Sequence, residues 1–278
     1  MKKALSHDIS KLKIAVIGAG KMGGALIRSL VENDVVPASH ITASVAPSED
    51  ARAVGAQLGV KMYRDNSEMV KDRDIVILAV KPQASRKILE EIRDSLTGAQ
   101  LFVSIAAART THYIEEILGG EIPVVRAMPN TPLLVGAGMT VLCRGRHATK
   151  AHLETASAVF SPVGLVDVVD NEDLMDAVTA LSGAGPAYAY IMIESLAEGG
   201  VYTGLPRKLA TRLAAQSLLG AAKMVIDRNE HPALLKDEVT TPAGVTIDGI
   251  MELEDGGIRV TLIKAVDKAT RKSKELSQ

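Results

Sequence analysis

Apolar residues in the first part of the chain come in short unbroken runs, and each run is followed by a stretch of helical period. KIAVIG (13–18) is a β-branched run that ends in glycine. GGALIRSLVEN (23–33) then sets Ala25, Leu26, Ser29 and Leu30 three or four apart, the spacing of one helix face. HITASV (40–45) and VKMYR (60–64) read as strands, with a helix-compatible SEDARAVGAQLG between them. IVILAVKP (75–82) gives six apolar residues in succession and then a proline, which stops a ladder because it has no N–H. A strand apolar on both faces is what a parallel sheet covered by helices on both sides requires. ASRKILEEIRDSL follows as an amphipathic helix and LFVSIAA as a strand. VVRAMPN, GMTVLCR and GLVDVV carry the alternation to about residue 169. Repeated strand–helix–strand units predict an α/β fold whose N-terminal domain, residues 1–170, is a right-handed, doubly wound sheet of Rossmann type.

The pattern changes after residue 170. NEDLMDAVTALSG opens with acidic residues suited to a helix N-terminus. AYAYIMIESLAEGGVYTG and LPRKLATRLAAQSLLGAAKMVI are then dominated by alanine, leucine and methionine. Leu209, Leu213, Ser217, Leu218, Ala221, Ala222 and Val225 recur at helical spacing, with small residues on several faces. Such a helix packs on more than one side. Residues 171–278 are therefore expected to form an all-helical dimerisation domain that finds partners in a second subunit. The expected assembly is a homodimer or a higher homo-oligomer of dimers.

Composition narrows the function classes. The 278 residues carry 32 Lys+Arg against 33 Asp+Glu, a formal charge of −1, so no global field draws in nucleic acid or an anionic membrane. No stretch approaches the ~20 apolar residues of a membrane span, and MKKALSHDISKLK lacks the apolar run of a signal peptide. Cys143 is the single cysteine, which excludes an intrachain disulfide and reads as a buried inert thiol. A cytoplasmic location is expected. Histidines at 7, 40, 112, 147, 152 and 231 show no metal-ligand spacing, and no HExxH or GxSxG appears. No metal is expected. His231, before a proline, reads as a turn or cap residue.

Candidate chemistry begins at IGAGKMGG. Gly18, Gly20 and Gly23 form GxGxxG directly after a strand and at a helix start. Gly18 serves the tight turn, Gly20 the close approach of a pyrophosphate, and Gly23 the packing of helix on strand. Ile17, Gly18, Ala19, Gly20, Lys21, Met22 and Gly23 are the expected phosphate cradle. At the end of the second strand Ser44 and Val45 stand where an NAD enzyme usually carries an acid, so NADPH is preferred and NADH possible, with Glu49 and Asp50 close by. Arg52 reads as an exposed helical side chain, and Asn66 is counted among the cofactor residues. Ala79, Val80, Lys81 and Pro82, with Ile105, Ala106 and Ala107, end two later strands on the carboxyl edge where such folds bind ligands. Asn130 and Thr131, between prolines, make a rigid turn facing that crevice. No general base declares itself. That suits a substrate already activated, such as a protonated imine, with the hydride coming from the cofactor.

ALSGAGPAYAY (180–190), GGVYTGLPRKLATRLAAQSLLGAAKM (199–224) and HPALLKDEVTTPAGVTIDGIMELEDGG (231–257) together resemble the pyrroline-5-carboxylate reductases. IGAGKMG, LAVKP and MPNTP fall in the order of that family, and the resemblance runs from about residue 13 to 275. It implies NAD(P)H-dependent reduction of the imine 1-pyrroline-5-carboxylate to L-proline. It also implies a Rossmann domain followed by a helical dimerisation domain, with the active site completed across an interlocked dimer. Where the family pattern after the LKD element reads like SPGGTT, this chain reads TPAGVT, and Glu238 replaces a commonly neutral residue. Threonine and proline before a helix leave hydroxyl caps and free N–H groups. The amides of Gly244, Val245 and Thr246 are therefore expected to hold the substrate carboxylate, with Thr246 Oγ reaching the ring nitrogen as the catalytic contact. The SGAGP turn (182–186) would wall the nicotinamide. Two other readings stay open: a reductase of another cyclic imine, and a non-catalytic NADPH-binding sensor.

Overall fold

The structure is a computed structural model that describes residues 8–277. The first seven residues of the expected Rossmann domain, His7 among them, and Gln278 lie outside the described residues. In chain order the first elements are β1 (Ile14–Ile17), α1 (Lys21–Glu32), β2 (Ile41–Ser44), α2 (Ala51–Leu58), β3 (Lys61–Tyr63) and α3 (Asn66–Met69). Next come β4 (Ile75–Leu78), α4 (Pro82–Ile92), β5 (Leu101–Ser104), α5 (Thr111–Leu118) and β6 (Val124–Pro129). After them follow β7 (Gly138–Arg144), α6 (Lys150–Phe160), β8 (Gly164–Val168) and α7 (Met175–Val178). The rest is helical: α8 (Gly185–Tyr202), α9 (Arg207–Arg228), α10 (Pro232–Glu238), α11 (Val245–Asp255) and α12 (Ile258–Ser277).

The eight strands form one sheet in the order β3-β2-β1-β4-β5-β6-β7-β8. All four residues of β1 are buried because each face of the strand meets a different layer. Ile14 and Val16 join Leu26, Ile27 and Leu30 of α1 on one side, while Ala15 and Ile17 join Leu89 and Ile92 of α4 on the other. Full burial of each such aliphatic side chain contributes about 1.5–3 kcal/mol, so the double layer holds the central strands firmly.

The parallel alternation was expected to run through to residue 169, but β7 pairs antiparallel to β6, and β8 then runs parallel to β7. A parallel return needs a crossover of a dozen or more residues. Residues 130–137 are too few, and they turn back through a tight 3₁₀ turn, Thr131–Val135, closed by Gly136 at φ +70°.

Local chemistry explains several boundaries. The Asp50 carboxylate accepts the Arg52 and Ala53 N–H groups and starts α2, and Gly59 at φ +69° ends it. Pro82 opens α4 as its first residue, where a missing N–H costs nothing. Thr149 caps α6 while His152 Nδ1 accepts the Thr149 N–H at 3.0 Å, and burial lowers the pKa of that imidazole, favouring the neutral form the contact needs. Cys143 is buried, and its thiol pKa is pushed up to about 11 by burial and by Glu172, so the thiolate is suppressed.

The described residues divide into two compact units, one running to Gly183 and regaining the chain from Ala269 onward, the other spanning Ala184–Lys268. Within the first, the end of α12 is tied to α7: Ser273 Oγ donates to Asp176 Oδ1 at 2.6 Å and Ser277 Oγ donates to the same oxygen at 3.2 Å. Within the second, α8 packs on α9 at small residues; a Cβ on Gly200 would stand 3.0 Å from Ala210 Cβ.

Candidate active site

The turn from β1 into α1 is built for close approach. Gly18 adopts φ +96°, and a Cβ there would lie 2.7 Å from the Ala79 carbonyl oxygen and 2.8 Å from Val80 Cγ1. Only glycine fits. The Gly18 and Ala19 N–H groups donate to the Ser44 carbonyl at 3.0 and 2.7 Å, which fixes the turn against β2. A Cβ on Gly23 would come within 2.3 Å of the Gly18 carbonyl oxygen, so this glycine lets helix and strand touch. Gly20 differs: a Cβ there would meet no atom within 4 Å, and the residue is exposed at the N-cap of α1.

Among the described residues no side chain caps α1, and no acid stands in its first turn. The first intrahelical bond is Gly24 N–H to the Gly20 carbonyl, so the N–H groups of Lys21, Met22 and Gly23 have no partner within the helix. They form the positive end of a long helix dipole, suited to a pyrophosphate. Lys21 is exposed and the Met22 side chain packs on the core, which leaves the main chain as the recognising element. Ile17 is buried, with its carbonyl accepting the Ala79 N–H at 2.8 Å.

At the end of β2, Ser44 is buried and Val45 half-buried. Asn66, the first residue of α3, lies beside them: Ser44 Oγ donates to Asn66 Oδ1 at 2.7 Å. Asp50, close enough in sequence to serve as a ribose acid, is occupied in capping α2, while Glu49 and Arg52 are exposed. Glu91 of α4 also enters this group and was not foreseen. The Asn66 N–H donates to its Oε1 at 3.2 Å and Asn66 Nδ2 to its Oε2 at 3.3 Å.

The carboxyl ends of β4 and β5 complete this edge. Ala79 and Val80 abut Gly18, Lys81 is exposed at the N-cap of α4, and Pro82 follows it. The Ile105 N–H donates to the Leu78 carbonyl at 3.0 Å, and the Ala106 N–H to Ser104 Oγ at 3.3 Å. Ala107 is half-buried and precedes Ala108 at φ +55°. This loop is anchored from behind. Glu172 accepts the Thr111 N–H at 2.8 Å and the Thr111 hydroxyl at 2.6 Å, and is itself held by Arg126 Nη1 at 3.0 Å. Asn130 is a brace: its Nδ2 donates to the Ser182 carbonyl at 3.2 Å and its Oδ1 accepts the Met139 N–H at 2.9 Å. Thr131 is exposed. Ser182 and Gly183 lie in a π-helical turn, Thr179–Gly183, and a Gly183 Cβ would stand 2.7 Å from Met128 Cε. A hollow of about 450 Å³, lined by Lys13, Lys71, Asp74 and Gln100, lies at the opposite, amino edge of the sheet and includes none of these residues.

In the second unit, Gly244 is the N-cap of α11, and its position carries no side-chain cap among the described residues. The Gly244 N–H donates to the Thr241 carbonyl at 3.1 Å, and a Cβ on Gly244 would fall 2.3 Å from Thr241 Oγ1. Ala243 takes φ +55° in the loop before it. Val245 is exposed and Thr246, the second helical residue, half-buried. Glu238 forms a two-pronged contact with Arg228 at 2.7 and 2.8 Å, whose hydrogen bonds hold its carboxyl below the usual range. His231 caps α10, its Nδ1 accepting the Ala233 N–H at 3.2 Å. Among the described residues no three His, Cys, Asp or Glu side chains gather as metal ligands, and no helix is long and apolar enough to cross a membrane.

Known proteins match this arrangement. Residues 172–276 match the family described as pyrroline-5-carboxylate reductase dimerisation, and residues 13–108 that described as NADP oxidoreductase, coenzyme F420-dependent. The pyrroline-5-carboxylate reductase of Arabidopsis thaliana is 42% identical over 266 residues, covering 96% of each chain. A solved pyrroline-5-carboxylate reductase from Coxiella burnetii superposes with a TM-score of 0.90 at 35% identity, covering 96% of this chain and 99% of that one. A Plasmodium falciparum pyrroline carboxylate reductase, solved with NADP bound, gives 0.85 at 31% identity, over 97% and 99% of the two chains. With its glycine turn, its open helix end and its helical C-terminal part, the chain belongs to the pyrroline-5-carboxylate reductase family.

Proposed function

We propose that this protein reduces 1-pyrroline-5-carboxylate to L-proline with a nicotinamide dinucleotide, NADPH in preference to NADH. One observation carries the reading: an uncapped helix end at Gly20, shaped for a pyrophosphate, in a chain 42% identical to a named reductase of this imine along nearly its whole length. The amides of Gly20–Gly23 would hold the pyrophosphate, Ser44, Val45 and Asn66 the adenosine ribose, and Ala79–Pro82 with Ile105–Ala107 the nicotinamide half. When bound, the dinucleotide supplies the hydride that adds to the imine carbon.

Substrate binding falls to α11. The N–H groups of Val245 and Thr246 donate to the substrate carboxylate, which the helix dipole also favours, while the Gly244 N–H, expected to join them, is already given to the Thr241 carbonyl. Thr246 Oγ accepts from the N–H of the protonated imine, stabilising the electrophile and fixing the ring. The NADPH preference follows from the absence of an acid at positions 44 and 45 and from the engagement of Asp50 in capping.

The assembly is a homodimer or a multiple of it. Ala197, Ala210 and Ala214 are the buried apolar residues of the second unit, whereas Ile191, Leu219, Ile226 and Ile263 are each more than half exposed. Three alanines make too small a core for a unit of this size, and a second copy offers the missing cover. A cytoplasmic setting belongs to the same proposal.

The test pairs the purified protein and NADPH with the five-membered imine and with its six-membered homologue, following the nicotinamide absorbance. Faster consumption with the five-membered ring is expected. A preference for the larger ring would reassign the substrate, and no consumption with either would favour a dinucleotide-binding sensor.

A further inference from the structure

We propose that Glu91 is a positioning residue that sets the choice at the ribose 2′ position, acting through Asn66 and Ser44. The proposal rests on the reductase reading above, with the dinucleotide ribose at the end of β2. Glu91 accepts from Asn66 twice, from the main-chain N–H at 3.2 Å and from Nδ2 at 3.3 Å. Ser67 Oγ donates to the Glu91 carbonyl at 2.7 Å and ties α3 to α4 at the same place. A carboxylate only accepts, so the Asn66 NH₂ must face Glu91 and its Oδ1 must face away. Oδ1 in turn accepts the Ser44 hydroxyl at 2.7 Å.

The consequence is one of polarity. A hydroxyl has a single hydrogen, and that of Ser44 is spent inward on Asn66. Toward a ligand Ser44 offers lone pairs alone. A ribose 2′-hydroxyl can donate to them, whereas a 2′-phosphate presents acceptor oxygens and gains nothing. The preference for NADPH that follows from the missing acid is thus held back by the relay. With Glu91→Gln the side-chain amide can donate to Asn66 Oδ1, and Asn66 can turn its NH₂ toward Ser44. The Ser44 hydrogen is then free for the phosphate.

Calorimetric titration with NADPH and with NADH reads this directly, without turnover. Glu91 is exposed, so Glu91→Gln is expected to melt as the native protein does. Its ratio of NADPH to NADH affinity should rise by about threefold to tenfold, the worth of one hydrogen bond. Glu91→Asp, which keeps an acceptor-only group, should stay nearer the native ratio. In a Ser44→Ala background Glu91→Gln should leave the ratio unchanged. A ratio untouched by Glu91→Gln overturns the role of Glu91; so does an equal shift in the Ser44→Ala background, which would assign the effect to charge alone. A native protein that binds neither dinucleotide overturns the reductase reading itself, and the relay with it.

Discussion

Arg126 on β6 and Glu172, just before α7, meet at 3.0 Å with the arginine side chain almost wholly buried. Glu172 also accepts the N–H and hydroxyl of Thr111, so one carboxylate joins the middle of the sheet to the start of α5. Among the described residues Arg126 Nη2 is buried without a hydrogen-bond partner, which makes the pair its main compensation. Removing one member of a buried pair costs about 3–5 kcal/mol. Glu172 keeps some contact with water, so Glu172→Ala should cost about 3 kcal/mol in denaturant unfolding, near the lower bound. An Arg126→Met/Glu172→Leu double variant should lie closer to the native stability. A loss under about 0.5 kcal/mol in the single variant would show the pair to be incidental.

The glycines of the first turn should separate by function. Gly20→Val should fold, because nothing surrounds the added Cβ, and should lose dinucleotide binding in a calorimetric titration. Gly23→Ala should instead lose stability by about 1–3 kcal/mol, since its Cβ has to displace the Gly18 carbonyl. Native affinity in Gly20→Val would move the pyrophosphate elsewhere.

Ala243 holds a left-handed conformation that favours glycine. The strain is about 1–2 kcal/mol, offset by the roughly 0.5–1 kcal/mol of extra chain entropy that glycine loses on folding. Ala243→Gly should therefore raise stability by about 0.5–1 kcal/mol, and Ala243→Val should lower it, both read from thermal unfolding. A less stable glycine variant would mean that the loop does not hold this conformation.

Thr246→Val keeps the shape of the side chain and removes its hydroxyl. Turnover should fall roughly tenfold, the upper range for one hydrogen bond, with NADPH affinity unchanged. Unaltered turnover would remove Thr246 from the chemistry.

Much of this was legible in the chain itself. IVIL announced a strand buried on both faces, and the GxGxxG spacing placed Gly18 at the tight turn and Gly23 at the helix–strand contact, where a Cβ would not fit. His231 as a cap and Cys143 as a buried thiol followed from their neighbours. The reversal at β7 was readable too, from the shortness of residues 130–137, but strand-like composition carries no direction. The Ser44–Asn66–Glu91 relay had no such signal. Its members lie on three elements, joined by contacts 22 and 25 residues apart that no periodicity encodes. The same holds for the tie between Asp176 and Ser273, 97 residues apart.

The proposed chemistry turns on where the carboxylate of the imine is held. A crystal structure of the protein with oxidised dinucleotide and L-proline measures that position. The expected density puts the proline carboxylate within hydrogen-bond distance of the Val245 and Thr246 N–H groups and the pyrophosphate on Gly20–Gly23. A carboxylate bound to side chains away from α11 would contradict it.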